Sequence, residues 1–322
     1  MITQSSVTNA AIDYITMPKY LITIVGPTAI GKTAMGIKLA NYFSTEIISA
    51  DSRQFYKEMQ IGTAVPTREE LKAAPHHFIH HKSIDEAYSV GDFGRDATQR
   101  LNELFKRHNQ IIMVGGSGLY VDAVTKGLDK FPQIKPNIRK QLNGQLESEG
   151  LDYLKFQLEK LDPIAFEKIA IDNPHRVIRA LEVSISSGKP YSSFLKSKPI
   201  ERQFKVISIG LTADRAIVYN RINKRVDLMM EAGLLNEAKN LFGKRHLNAL
   251  NTVGYKELFK FFEIEWELDH AVAEIKKNTR RFAKRQLTWF KKNESTLWFE
   301  YDTSIETIIK KIKPLVEFSS KN

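Results

Sequence analysis

Gly26-Pro27-Thr28-Ala29-Ile30-Gly31-Lys32-Thr33 has the G-x4-G-K-[ST] spacing of a phosphate loop. Glycines at that spacing let backbone N–H groups curl around phosphate oxygens. Lys32 adds a point charge, the following helix N-terminus adds its dipole, and the Thr33 hydroxyl is a ligand for Mg²⁺. The motif by itself specifies a phosphate-bearing ligand and leaves a nucleotide kinase or an NTPase open. A second constellation, Asp51-Ser52-Arg53-Gln54, follows an apolar run. A carboxylate there serves in one of three ways: ligating Mg²⁺ through water, taking a proton from an incoming nucleophile, or capping a turn.

Both motifs need a parallel sheet to bring them together. Tyr20–Val25 reads as a buried strand, and Met35, Leu39, Tyr42 and Phe43 recur at helical spacing after the loop. Glu46–Ala50 reads as a second strand that places Asp51 at the carboxyl edge, where open α/β sheets bind ligands. Phe93, Ala97, Leu101, Leu104, Phe105 and His108 mark an amphipathic helix before a third strand, Ile111–Val114. Phe204–Leu211 resumes a strand pattern, 216–242 is helical, and Leu297–Glu300 is a last short strand. Between Pro132 and Pro199 the strand signal disappears and helical patterns such as Asn137–Leu158 replace it. The expected fold is therefore α/β: a P-loop NTPase-like parallel sheet flanked by helices, with an inserted all-helical domain. Its expected boundaries are an extension at 1–19, a catalytic core at 20–131 and 200–322, and the insertion at 132–199.

The chain has 322 residues, 42% of them hydrophobic and 26% charged, without a long apolar run or a visible secretory signal, so a cytoplasmic protein is expected. It has no cysteine, which excludes disulfides, cysteine-ligated zinc and a thiol nucleophile. Lys and Arg number 48 against 37 Asp and Glu, a net +11 that suits a polyanionic partner.

In order along the chain stand GPTAIGKT, DSRQFYKEMQIGTAVP, APHH, YSVGDF, GGSGLY, HRVIRALEV, VGYKEL and TRRFAKRQLTWFKK. Together they resemble the signature set of bacterial tRNA dimethylallyltransferases, from about Tyr20 to Lys292. The resemblance implies a transferase whose P-loop (Gly26 to Thr33) holds the diphosphate of dimethylallyl diphosphate, with Mg²⁺ at Thr33 and Arg225 in the diphosphate region. The acceptor it implies is the exocyclic amine of the adenosine 3′ of the anticodon. Asp51 becomes the general base, Lys32, Thr33, Ser117 and Arg225 complete the catalytic group, and Ser52, Arg53 and Gln54 touch the flipped nucleotide. Gln54 carries an amide suited to an adenine edge. His76 matches a site histidine, and is read as a loop residue near the site rather than a metal ligand.

Two positions depart from the family. Gly115-Gly116-Ser117-Gly118-Leu119-Tyr120 has Ser where the family has Thr, which keeps the hydroxyl, and Thr63-Ala64-Val65-Pro66 has Val where the family has Lys, which removes a cation.

The remaining expected tRNA contacts lie in two basic segments and at Arg139. Asn173-Pro174 opens a helix that Gly188 and Pro190 close, and within it Ile178, Leu181 and Ile185 form an apolar stripe. Arg176 and Arg179 then share a neighbouring face, free for phosphates or bridged to Glu182, and His175, Val177 and Ile178 join them by the resemblance. From Lys276 to Lys292 there are eight Lys or Arg and no acid, with Arg280, Arg281, Lys284 and Arg285 among the expected RNA contacts. Ile275, Phe282 and Phe290 would anchor that helix. The expected partners are a tRNA anticodon stem-loop and dimethylallyl diphosphate, with no membrane, and the expected state is a monomer. Rival readings are a prenyltransferase on free adenine nucleotides, a nucleotide kinase, and an RNA-binding protein with a dead P-loop.

Overall fold

In the computed structural model the described residues are 17–195 and 201–317. Most of the expected extension at 1–19, and Pro199 at the end of the expected insertion, lie outside them. The chain forms two compact units: one runs to Thr125 and resumes at Arg202, and the other is Lys126–Glu201. The insertion expected at 132–199 falls a few residues inside the second unit.

The elements, in chain order, are β1 (Tyr20–Val25), α1 (Lys32–Tyr42), β2 (Ile47–Ser49), α2 (Arg68–Ala73), β3 (His76–His77), α3 (Val90–Leu104), β4 (Gln110–Val114), α4 (Gly118–Thr125), α5 (Pro136–Leu161), α6 (Pro163–Lys168), α7 (Pro174–Ser187), β5 (Lys205–Thr212), α8 (Arg215–Glu231), α9 (Leu234–Leu241), α10 (Tyr255–Phe262), α11 (Leu268–Phe290), β6 (Leu297–Glu300) and α12 (Ile305–Glu317). The first unit carries a six-stranded sheet in the order β3-β2-β4-β1-β5-β6, with every pairing parallel.

A parallel sheet is covered on both faces, so its central strand is apolar along its whole length. Every residue of β1 is buried, and the pleat sends alternate side chains to opposite layers. Tyr20, Ile22 and Ile24 pack with Met35 and Leu39 of α1 and with Ile308 and Ile312 of α12. Leu21 and Val25 pack with Phe93, Ala97 and Leu101 of α3 and with Val124 of α4. Thr23 is buried as well, and its hydroxyl lies 3.2 Å from that of Ser208 on β5. The start of α3 is fixed by a capping box between Ser89 and Asp92, a device that contributes about 1 kcal/mol.

The helical unit has its own core, which includes Leu142, Leu154, Leu158, Ala165, Val177 and Leu181. Between α5 and α6 stands Asp162, only 1% exposed, whose carboxylate accepts from the N–H groups of Ala165 and Ser192 and from the Ser192 hydroxyl at 2.6 to 3.0 Å. α7 starts at the Asn173 cap with Pro174 and ends at Gly188, as its sequence dictates.

Several elements differ from the sequence expectation. The helical stretch at 216–242 divides at Gly233 into α8 and α9, and α5 breaks at Gly150, where the backbone is non-helical. β3 is too short to carry a periodic signal, and its pairing with β2 makes His76 a strand residue rather than a loop residue. Ile185 does not join the buried stripe of α7, since it is 43% exposed.

Candidate active site

The phosphate loop leaves β1 at Val25 and enters α1 at Lys32. Gly31, the N-cap of α1, sits at φ 108°, in the left-handed region that residues with a side chain avoid. The Lys32 ammonium donates to the carbonyls of Gly26 at 3.1 Å and Pro27 at 2.7 Å. Arg221 Nε donates to the Ala29 carbonyl at 2.7 Å. The loop thus opens onto a cavity of about 540 Å³ lined by Thr28 to Thr33, Asp51, His76, Arg221, Lys224 and Arg225. Burial takes Lys32 from 10.5 down to about 7, against the attraction of Asp51 and with further lowering by the Arg225 charge. Arg225 is lowered by its own burial, with Asp51 opposing. Four cations, Lys32, Arg221, Lys224 and Arg225, line this cavity against two carboxylates, Asp51 and Glu70, so it is short of negative charge, which an anionic ligand supplies.

Asp51 follows β2 at the carboxyl edge of the sheet. It accepts from the Arg53 N–H at 3.1 Å, so the turn-capping reading holds for one of its oxygens. The same residue lines a second cavity, of about 340 Å³, walled by Ser52, Ser117, Val226, Met229, Thr279, Phe282 and Arg285. Thr28, Asp51, Thr63 and Arg225 line both cavities, so a group in one meets a group in the other beside the Asp51 carboxylate.

Thr33 and Asp51 offer oxygen ligands to the first cavity. Among the described residues no group of three His, Cys, Asp or Glu stands ready to hold a metal. That donor set fits a hard cation that takes most of its ligands from phosphate and water, as Mg²⁺ does.

Other expected site residues turn out differently engaged. Gln54 is only 9% exposed, and its Nε2 donates to the carbonyls of Thr63 and Ala64 while Oε1 lies 3.3 Å from the Ser49 hydroxyl. Its amide fixes the cavity wall instead of presenting an edge to adenine. Arg53 donates to the carbonyls of Asn248 and Ala249, which ties two loops of the core. The Ser117 hydroxyl accepts from the Ser52 N–H at 3.2 Å and lies 3.1 Å from the Ser52 hydroxyl, so it orients that residue. His76 bonds the Ala74 carbonyl through Nδ1 at 2.8 Å, and burial lowers its pKa, leaving a neutral ring beside the cavity. Gly26 and Pro27 do not line the cavity, and Ile30 is buried with only its backbone available.

In the helical unit, Val177 and Ile178 are 0% and 2% exposed and belong to the core, so their side chains do not reach RNA. Arg139 grips the Glu182 carboxylate through Nε and Nη2 at 2.9 Å, and Arg179 shares it at 3.0 Å. The bridge to Glu182 therefore engages Arg179 and Arg139, while Arg176 and His175 keep exposed positions on the first turns of α7. On α11, Arg280 donates to Asn223, whereas Arg281, Lys284 and Arg285 are exposed, and Arg285 lines the second cavity. Ile275 and Phe290 are buried as anchors, but Phe282 is 38% exposed and faces the second cavity.

Sequence reasoning missed Arg221 and Lys224, although with Arg225 and Leu228 they share one face of α8 at helical spacing. It also missed Gln286 and Glu237, whose contacts join segments far apart in the chain.

The IPP transferase family model matches residues 54–293. A tRNA dimethylallyltransferase of Christiangramia forsetii is 60% identical over 292 residues, covering 91% of this chain and 97% of its own. The crystal structure of the full-length tRNA isopentenylpyrophosphate transferase from Bacillus halodurans is similar at a TM-score of 0.70 and 38% identity, over 94% of this chain and 98% of that one. A eukaryotic dimethylallyltransferase acting on tRNA shares the fold, with a TM-score of 0.76 at 23% identity over 94% of this chain and 86% of that one.

Proposed function

The chain belongs to the IPP transferase family, and from that premise we propose that it transfers a dimethylallyl group from dimethylallyl diphosphate to tRNA, at the exocyclic amine of the adenosine 3′ of the anticodon. The observation that carries this reading is the pair of cavities meeting at Asp51 and Arg225, one built on the phosphate loop and the other on the basic helix α11.

The donor's diphosphate lies in the first cavity. There the loop N–H groups, Lys32 and Arg225 stabilise the charge that develops as the C–O bond breaks. The second cavity takes the adenine, which leaves the anticodon loop at a cost of roughly a few kcal/mol, offset by phosphate contacts from the basic residues of α11. The amine attacks the allylic carbon as diphosphate departs, and Asp51 accepts the amine proton. Thr33, with Asp51 nearby, holds Mg²⁺, which supplies charge neutralisation for the leaving group. The enzyme works where its substrate is, in the cytoplasm.

The test is incubation of the purified chain with labelled dimethylallyl diphosphate, Mg²⁺ and unmodified tRNA, followed by nucleoside analysis, with adenosine monophosphate as competing acceptor. Label recovered as prenylated adenosine in tRNA is the expected outcome. Label in the mononucleotide alone, or no label transferred, overturns it.

A further inference from the structure

Helix α11 lines the acceptor-side cavity with Ile275, Thr279, Phe282 and Arg285. The next residue, Gln286, turns inward and is 6% exposed. Its amide spans two loops that the sequence sets far apart: Oε1 accepts from the Thr28 N–H of the phosphate loop at 2.8 Å, and Nε2 donates to the Gly116 carbonyl at 2.9 Å. An amide suits this bridge because it is uncharged and both accepts and donates in one plane. A Cβ at Gly116 would overlap Nε2 and lie 3.8 Å from Lys32 Nζ, so the bridge fits against a glycine and beside the phosphate-loop lysine. One turn on, Trp289 donates to Asp122 at 3.0 Å and packs where a Cβ on Gly118 would stand. The element that receives the acceptor is therefore pinned to the loop that receives the donor.

We infer that Gln286 is a positioning residue that couples the two substrates: an acceptor seated against α11 fixes the helix, and the Gln286 amide carries that order to Thr28 and the donor cradle. The inference rests on the functional reading above. Such coupling is reciprocal, so each ligand tightens the binding of the other by the same factor.

The experiment titrates dimethylallyl diphosphate with Mg²⁺ into the full chain by calorimetry, with and without an anticodon stem-loop. Its acceptor adenosine is replaced by purine riboside, which lacks the amine and blocks transfer. The donor Kd is expected to tighten by about 5- to 150-fold when the RNA is present. Gln286→Met, which keeps the volume and loses both hydrogen bonds, is expected to bind the RNA normally and to lose that dependence. Gly116→Ala, which displaces the amide with Gln286 intact, is expected to behave in the same way. A donor Kd indifferent to RNA in the unmodified protein overturns the coupling, as does a wild-type ratio in both variants. Failure of the unmodified protein to bind either ligand overturns the functional reading itself, an outcome distinct from binding both without linkage.

Discussion

Burial lowers the pKa of the Lys32 ammonium in the phosphate-loop cavity, and the Asp51 carboxylate opposes that shift only in part. With Lys32 brought from 10.5 down to about 7, the free protein at about pH 8 holds it largely neutral, and an incoming diphosphate restores its charge. Pyrophosphate binding at that pH should therefore take up a proton, read by calorimetry in two buffers of different ionisation enthalpy, and Lys32→Met should abolish the uptake. The same shift has a stability consequence. Between pH 7 and 10.5 the unfolded chain binds the Lys32 proton and the folded chain does not, so this group makes stability rise with pH through that window. Lys32→Met should flatten that part of a denaturation-versus-pH curve. For Asp51, the general-base role predicts a loss of about 10²- to 10⁴-fold in transfer rate for Asp51→Asn in single-turnover assays, with tRNA affinity retained. The position of Asp51 after a strand was legible in the sequence. Turn capping was one of the readings its sequence context offered, but that one oxygen caps the turn through the Arg53 N–H while the residue also lines both cavities was decided by the local backbone path.

At the scale of elements, the wall at 60–66 depends on α9 and α10 rather than on its own sequence. The Glu237 carboxylate accepts from the N–H groups of Gln60, Ile61 and Gly62 and from the Tyr255 hydroxyl, at 2.6 to 3.0 Å. Burial, reinforced by Glu237, raises the Tyr255 pKa and keeps that hydroxyl a donor. Glu237→Ala leaves these donors without their acceptor, and a loss of about 3 kcal/mol is expected by chemical denaturation, with faster amide exchange at 60–62. In the helical unit the corresponding device is Asp162, and Asp162→Ala should cost about 2 kcal/mol through the lost α6 cap and the unpaired Ser192 donors. Sequence patterning found the strands and the caps because those signals are local. It overran at Gly150 and Gly233, where apolar periodicity continues across a break in the helix.

Over the whole molecule the net charge of +11 is not spread evenly in its availability. Arg139 and Arg179 are committed to Glu182, while Lys284 stands exposed on α11. Lys284→Ala is therefore expected to reduce the log–log salt dependence of tRNA binding by about one. By itself the sequence determined the parallel α/β architecture, the phosphate loop, the acid at the neighbouring strand end and the family, because each rests on residue types at short, fixed spacings. Only the tertiary structure decided which basic and polar side chains remain free for a ligand. Gln54, Arg53 and Arg139 find partners 9 to 196 residues away, and Gln286 reaches the phosphate loop across 258. A hydrogen-bond partner at such a distance is chosen by how helices and loops pack against the sheet, and nothing in the spacing of the residues themselves encodes it.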